Sequence, residues 1–217
     1  MSGVRKNTQT VVRARQRPEG QRFSRESPDV RRRSLIEASI RCIAAGGIQA
    51  FTVDRICKEA GVSRGLINHY FREKDDLLVE VYRTSLYEPV MALLEAEDDG
   101  PAVATLKRIL DSNFTPTVFD KANLLVWLSL WGEAATNPAL NAAHRELYRR
   151  FRQVLADAIA AVAAERDRRV EAVELARNVI ALIDGLWLEW SLDDTAVDPA
   201  SARAACYDLV EGKLGPL

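Results

Sequence analysis

The run from Thr52 to Tyr70, TVDRICKEAGVSRGLINHY, limits the fold of this chain more than any other stretch. Two short helices that cross at a steep angle need a small residue at the crossing, and Cys57 supplies it. The turn between them needs a residue that tolerates positive φ, and Gly61 supplies that. Val62 and Ile67 plug the gap beneath, with Ile56 from the first helix. Thr52 caps the first helix, Val53 to Ala60, and Ser63 caps the second, which runs to about Tyr70. Residues of the right type at these fixed offsets predict a helix-turn-helix. The alternative, an ordinary three-helix bundle, is disfavoured by the Ser63 cap and by the charge around the motif.

That charge is hidden in the whole-chain balance of −1. Residues 1–75 hold 16 Lys and Arg against 8 Asp and Glu, whereas residues 76–217 hold 14 against 23. A basic N-terminal module on an acidic body suits a polyanionic partner, and with a helix-turn-helix that partner is double-stranded DNA. Residues 1–28 have no apolar period and read as a flexible basic arm in which Pro18 and Pro28 break any helix. No apolar core follows the basic N-terminus, so it does not read as a secretory signal, and no apolar run approaches the roughly 18 residues of a membrane span. Three scattered cysteines (Cys42, Cys57, Cys206) argue for a reducing cytoplasm and against a disulfide framework or zinc site. No cofactor motif occurs.

Helical periodicity runs along the rest of the chain. Leu35, Ile36, Ile40 and Ile43 make one face of a first helix that begins at Asp29 and stops at Gly46-Gly47. After the motif, a long helix runs from Lys74 to about Glu95. Four more follow, from Pro101 to about Phe114, Lys121 to Thr136, Asn137-Pro138 to about Arg166, and Glu171 to Leu192. Asp198-Pro199 opens the last, which ends near Gly215. No useful stretch alternates with period two, so the fold class is all-α. The expected division is a basic arm at 1–28, a helix-turn-helix DNA-binding domain at 29–75, and a helical ligand-binding and dimerisation domain at 76–217.

The block FTVDRICKEAGVSRGLINHYFREKDDLL resembles the N-terminal domain of the TetR family of bacterial regulators. The matching residues are Gly46-Gly47, Thr52, Ala60 to Ser63, Tyr70-Phe71, Lys74 and Leu77-Leu78. In that family the second helix of the motif enters the major groove. The resemblance therefore implies that Arg64 reaches a base edge, where a guanidinium suits the paired acceptors of guanine. It implies that Gly65 lets the backbone come close, that Leu66 touches a thymine methyl, and that Asn68, His69 and Tyr70 face the groove or its phosphate walls. Thr52, Ser63 and Lys74 are expected at the phosphates, with Arg55 as a further phosphate contact. Ile67 and Phe71 are core. Asp54 departs from the pattern, because a carboxylate there faces the DNA backbone. Arg31, Arg32 and Arg33 either reach an adjacent groove or simply solvate the first helix.

Beyond the motif, three stretches resemble the choline-responsive repressors of the BetI type: Ser112-Asn113-Phe114, WLSLW at 127–131, and ALIDGLWLEW at 181–190. Trp127 and Trp131 share one helical face, as do Asp184, Trp187 and Ser191, with Trp190 alongside. All four tryptophans fall in these two segments. A quaternary ammonium accepts no hydrogen bonds and is held by aromatic faces, often with a carboxylate. The candidate effector site is therefore Asn113, Phe114, Trp127, Trp131, Asp184, Trp187 and Trp190, with Glu133 as a second possible carboxylate. The competing reading makes these aromatics core and gives Asp184, beside Gly185, a helix–helix contact. The apolar faces Ile180, Ile183, Trp187 and Ala202, Cys206, Leu209 are expected at a homodimer interface, since the family pairs its last two helices across a twofold axis.

The function expected is a ligand-responsive repressor that binds a palindromic operator as a homodimer and senses choline or a related quaternary ammonium compound. The alternative is a regulator of the same family with another small apolar or cationic effector. An enzyme is the remote rival: no nucleophile, metal or phosphate-loop signature appears, and only His69 and His144 suit near-neutral proton transfer, with His144 expected at the surface. A non-specific architectural DNA binder has no need of the acidic two-thirds.

Overall fold

The computed structural model describes residues 27–94 and 100–217, the side chains of 93 and 94 excepted. The arm expected at 1–28 lies outside these residues except for Ser27 and Pro28, and Pro28 does not break a helix. It opens α1 (Pro28–Gly46), behind a Ser27 cap whose Oγ accepts from the Val30 N–H at 3.3 Å. The first turn of a helix is where the missing proline N–H costs nothing. Leu35, Ile36, Ala38, Cys42 and Ile43 form the buried face of α1, and Gly47 stops it at φ 62°.

A 3₁₀ turn (Ile48–Ala50) leads to α2 (Val53–Ala60) and α3 (Arg64–Tyr70). Between them Gly61 lies in the left-handed region at φ 67°, ψ 33°, the conformation the turn was expected to need. Ile56, Cys57 and Ile67 are buried where these helices cross. The long helix expected from Lys74 is present, but in segments. α4 (Lys74–Tyr82) passes through a π-helical turn (Arg83–Tyr87), where the Glu88 N–H reaches back five residues to the Arg83 carbonyl, into α5 (Glu88–Leu94). Glu95, its expected end, lies outside the described residues.

The remainder is α6 (Ala102–Ser112), α7 (Lys121–Ala134), α8 (Pro138–Glu165), α9 (Ala172–Leu192) and α10 (Pro199–Leu214). Asp120, Asn137 and Asp198 cap α7, α8 and α10 by accepting first-turn N–H groups. Among the described residues there is no strand, and the all-α fold class holds. No described helix is long and apolar enough to cross a membrane, and the three cysteines are buried thiols.

α8 is the central post, packed on α9, α6, α4 and α7, while α1 touches both α4 and α7. One core thus runs from the helix-turn-helix to the far end of the molecule. This packing corrects the expected subunit interface. Ile180, Ile183, Trp187, Ala202 and Cys206 are all buried within the single chain. α10 packs on α9 and α6, where Arg203 and Tyr207 both bind the Asp111 carboxylate, at 2.6 and 2.7 Å. Of the expected faces, Leu209 alone is only half-buried.

Candidate DNA-reading surface and effector cleft

The sequence-expected DNA contacts lie on the outer side of α2, α3 and the start of α4. Arg64 is the first residue of α3, followed by exposed Gly65, Asn68 and His69 and half-buried Leu66 and Tyr70. His69 and Tyr70 meet edge to face with ring centroids 5.1 Å apart. A Cβ on Gly65 would meet nothing closer than the Ser63 Oγ at 4.0 Å, so this stretch of backbone is uncrowded from outside. Ser63 has the extended backbone of an N-cap, yet its side chain makes no capping bond and its hydroxyl remains exposed. Thr52 does cap: its Oγ1 accepts from the Arg55 N–H at 3.4 Å. Arg55 is exposed on α2.

Lys74 projects from the first turn of α4 with its Nζ 5.1 Å from the centre of the Phe51 ring. A cation there opposes the helix dipole, so the position favours a nearby anion. Arg32 is tied down, paired with Glu80 at 2.8 Å and set over the Phe71 ring. It joins α1 to α4, which is neither of the uses expected for it, groove contact or solvation of the first helix. Asp54, the misfit of the sequence, forms an ion pair with Arg64.

The effector candidates separate into three groups. Trp131 and Asp184 line an open cleft of about 480 Å³ between α7, α8 and α9, together with Leu128, Asn141, His144 and Tyr148. Trp127 and Trp187 lie behind that wall and are buried. Their indole N–H groups donate to backbone carbonyls, Trp127 to Ser85 and Trp187 to Asn113, each at 3.1 Å. Trp187 also lies near-parallel to Trp131, 13° between planes, and 4.9 Å from Trp127. Phe114 and Trp190 make a separate cluster around Phe119, and Asn113 is buried with its amide on the Ile109 carbonyl. Glu133 does not line the cleft.

Within the cleft the Tyr148 hydroxyl donates to both carboxylate oxygens of Asp184, at 3.2 and 3.1 Å. Burial pushes the Asp184 carboxyl up to about 7, against a smaller opposing effect of the Tyr148 bond. His144 departs from its expected surface place. It is half-buried, its ring centre is 4.3 Å from that of Tyr148, and its Nδ1 is 2.9 Å from the buried Tyr82 hydroxyl. Burial lowers the His144 pKa and raises that of Tyr82, so the pair is a neutral imidazole and an intact phenol. The Trp131 indole N–H is shielded from solvent and has no acceptor among the described residues. An unpaired buried donor costs about 1–3 kcal/mol, which an incoming oxygen would recover.

The sequence did not assign Asn141, His144 or Tyr148 to the effector site, although they fall on one face of α8. The periodicity was legible. That this face meets Asp184 across a gap was not.

Comparison with known proteins gives the family. Residues 35–81 match the model of "Bacterial regulatory proteins, tetR family", and residues 102–215 match that of "BetI-type transcriptional repressor, C-terminal". The chain is 33% identical to the HTH-type transcriptional regulator BetI 1 of Chromohalobacter salexigens, over 85% of this chain and 91% of that protein. It is 34% identical to an Escherichia coli regulator BetI, over 81% of this chain and 89% of the other. Among solved structures, a transcriptional regulator of Pseudomonas aeruginosa superposes with a TM-score of 0.77 at 32% identity, covering 88% of this chain and 94% of the other. A Saccharomonospora viridis regulator solved in complex with choline superposes at 0.71 and 28% identity, covering 84% and 96%. These relatives are regulators rather than enzymes, and the chain belongs to the TetR family of bacterial transcriptional regulators, as a repressor with a BetI-type C-terminal domain.

Proposed function

We propose that the chain represses transcription as a homodimer on a palindromic operator and is controlled by choline or a closely related trimethylammonium compound. Residues 29–75 read the DNA, and residues 76–217 sense the effector and dimerise. The observation that carries the effector assignment is the juxtaposition of the Trp131 ring, the Tyr148 ring and the half-buried Asp184 carboxylate around one cleft. Aromatic faces and a carboxylate attract a cation that has no N–H to donate, each ring contributing about 0.5–2 kcal/mol. A hydroxyl on the same ligand offers the acceptor that the Trp131 N–H lacks. The choline complex of the S. viridis regulator supports the same class of ligand.

Control requires the cleft to bias the orientation of α3, and two contacts lead from it to α4. Tyr148 touches His144, which is bonded to Tyr82 on α4. Trp131 lies against Trp187, which lies against Trp127, whose N–H holds the Ser85 carbonyl of the π-helical turn. Single π-helical turns within α-helices are rare and concentrate at functional sites. The twofold contact is formed by the outer face of α9, where exposed Ala181, Gly185, Leu188 and Leu192 are aligned, and it borders the cleft, because Gly185 and Leu188 also line it. A Cβ on Gly185 would meet nothing within 4 Å, leaving room for a second helix.

Calorimetric titration of the purified chain with choline tests this reading, in the presence and absence of an operator selected from random duplexes. Linkage requires that operator and choline weaken each other by one factor, typically about 5–150-fold. Equal choline affinity with and without operator, or no binding at millimolar choline, refutes it. Binding of a different amine in the same titration favours the sister reading, a regulator with another cationic effector.

A further inference from the structure

Asp54 is a carboxylate on a surface that, on the reading above, faces phosphate. Left alone there it would oppose binding. It is not left alone, because it pairs with Arg64 across the turn, joining the first turn of α2 to the first residue of α3. The two side chains are 66% and 69% exposed. A carboxylate in the first turn of α2 suits the helix dipole, but an ion pair so open to water adds almost nothing to stability, so the fold gives no reason for the pairing with Arg64. DNA reading does. The Arg64 side chain is long and freely rotating, and a base edge rewards it only in one orientation. A guanidinium presents its donors as a rigid fork, and a carboxylate occupying Nη2 leaves other donors for guanine O6 and N7.

We propose that Asp54 is a specificity-determining positioning residue: its carboxylate holds the Arg64 guanidinium in the orientation that reads a guanine in each half-site. This rests on the DNA-reading role proposed for Arg64. In an unheld state Arg64 would turn to the nearest phosphate, which carries no sequence information. The pair thus exchanges non-specific affinity for discrimination.

The test uses full-length protein, an operator selected by the wild-type chain, and duplexes changed at one base pair at a time. Asp54→Ala should reduce discrimination at one symmetric base-pair position by about tenfold or more and raise affinity for unrelated DNA several-fold, with thermal melting unchanged. Arg64→Ala should lose discrimination at the same position, and the double variant should behave like Arg64→Ala alone. Tighter binding of all sequences by Asp54→Ala with the preference intact would overturn the proposal and leave Asp54 as simple repulsion. If Arg64→Ala itself keeps the preference, the reading role of Arg64 fails instead.

Discussion

Replacing Asp184 with Asn changes one heavy atom in the cleft and removes the only carboxylate among its lining residues. An unfolded Asp ionises near 4, whereas in the folded protein burial holds this carboxyl up at about 7. Between those values the folded state binds the extra proton, so stability falls as pH rises through the window. Three pK units correspond to about 4 kcal/mol, fully lost above pH 7. Tyr148 stays protonated across the window, whereas the His144 pKa, lowered by burial, makes stability rise with pH and so offsets part of this loss. A bound cation reverses the preference by favouring the ionised form. Choline affinity should therefore rise by up to about tenfold per pH unit below 7 and level off above it. Binding at pH 6 should release close to one proton, read from calorimetry in buffers of different ionisation enthalpy. Asp184→Asn, whose amide oxygen still accepts from Tyr148, should lose several kcal/mol of pH dependence in urea melts between pH 4.5 and 8, and should bind choline weakly at every pH. Wild-type affinity that is flat from pH 5.5 to 8 would refute the argument.

Three further outcomes follow from the geometry. Lys74→Ala should weaken binding to all DNA sequences alike and flatten the salt dependence of binding by about one phosphate contact, measured by fluorescence anisotropy at several salt concentrations. Trp127→Phe keeps the ring but deletes the bond to Ser85, so choline should still bind while its effect on operator affinity shrinks; unchanged coupling would remove that contact from the path. Ala181→Arg places a charge on the exposed face of α9, and sedimentation should show monomers with normal helicity.

The DNA-reading end of the molecule was written in local sequence. Thr52, Cys57, Gly61, Ile67 and the caps act within a few residues of chain, through backbone geometry and packing that spacing alone records. The all-α class was legible for the same reason, as were the proline starts at 138 and 199. Where the sequence misled, the deciding contact lay far along the chain. Apolar stripes on α9 and α10 look alike whether they face a partner or their own core, and only the packing of α9 on α8 and α7, and of α10 on α9 and α6, buries them internally. The four tryptophans clustered in sequence, yet folding assigned Trp131 to the cleft, Trp127 and Trp187 to the wall behind it, and Trp190 elsewhere. Asp184 acquires its raised pKa from burial where α9 packs on α8, and His144 takes its half-buried place beside Tyr82, 62 residues away. Hydrophobic periodicity specifies which face of a helix is covered; what covers it is decided by tertiary packing, where one unpaired donor or one desolvated carboxylate outweighs any local preference.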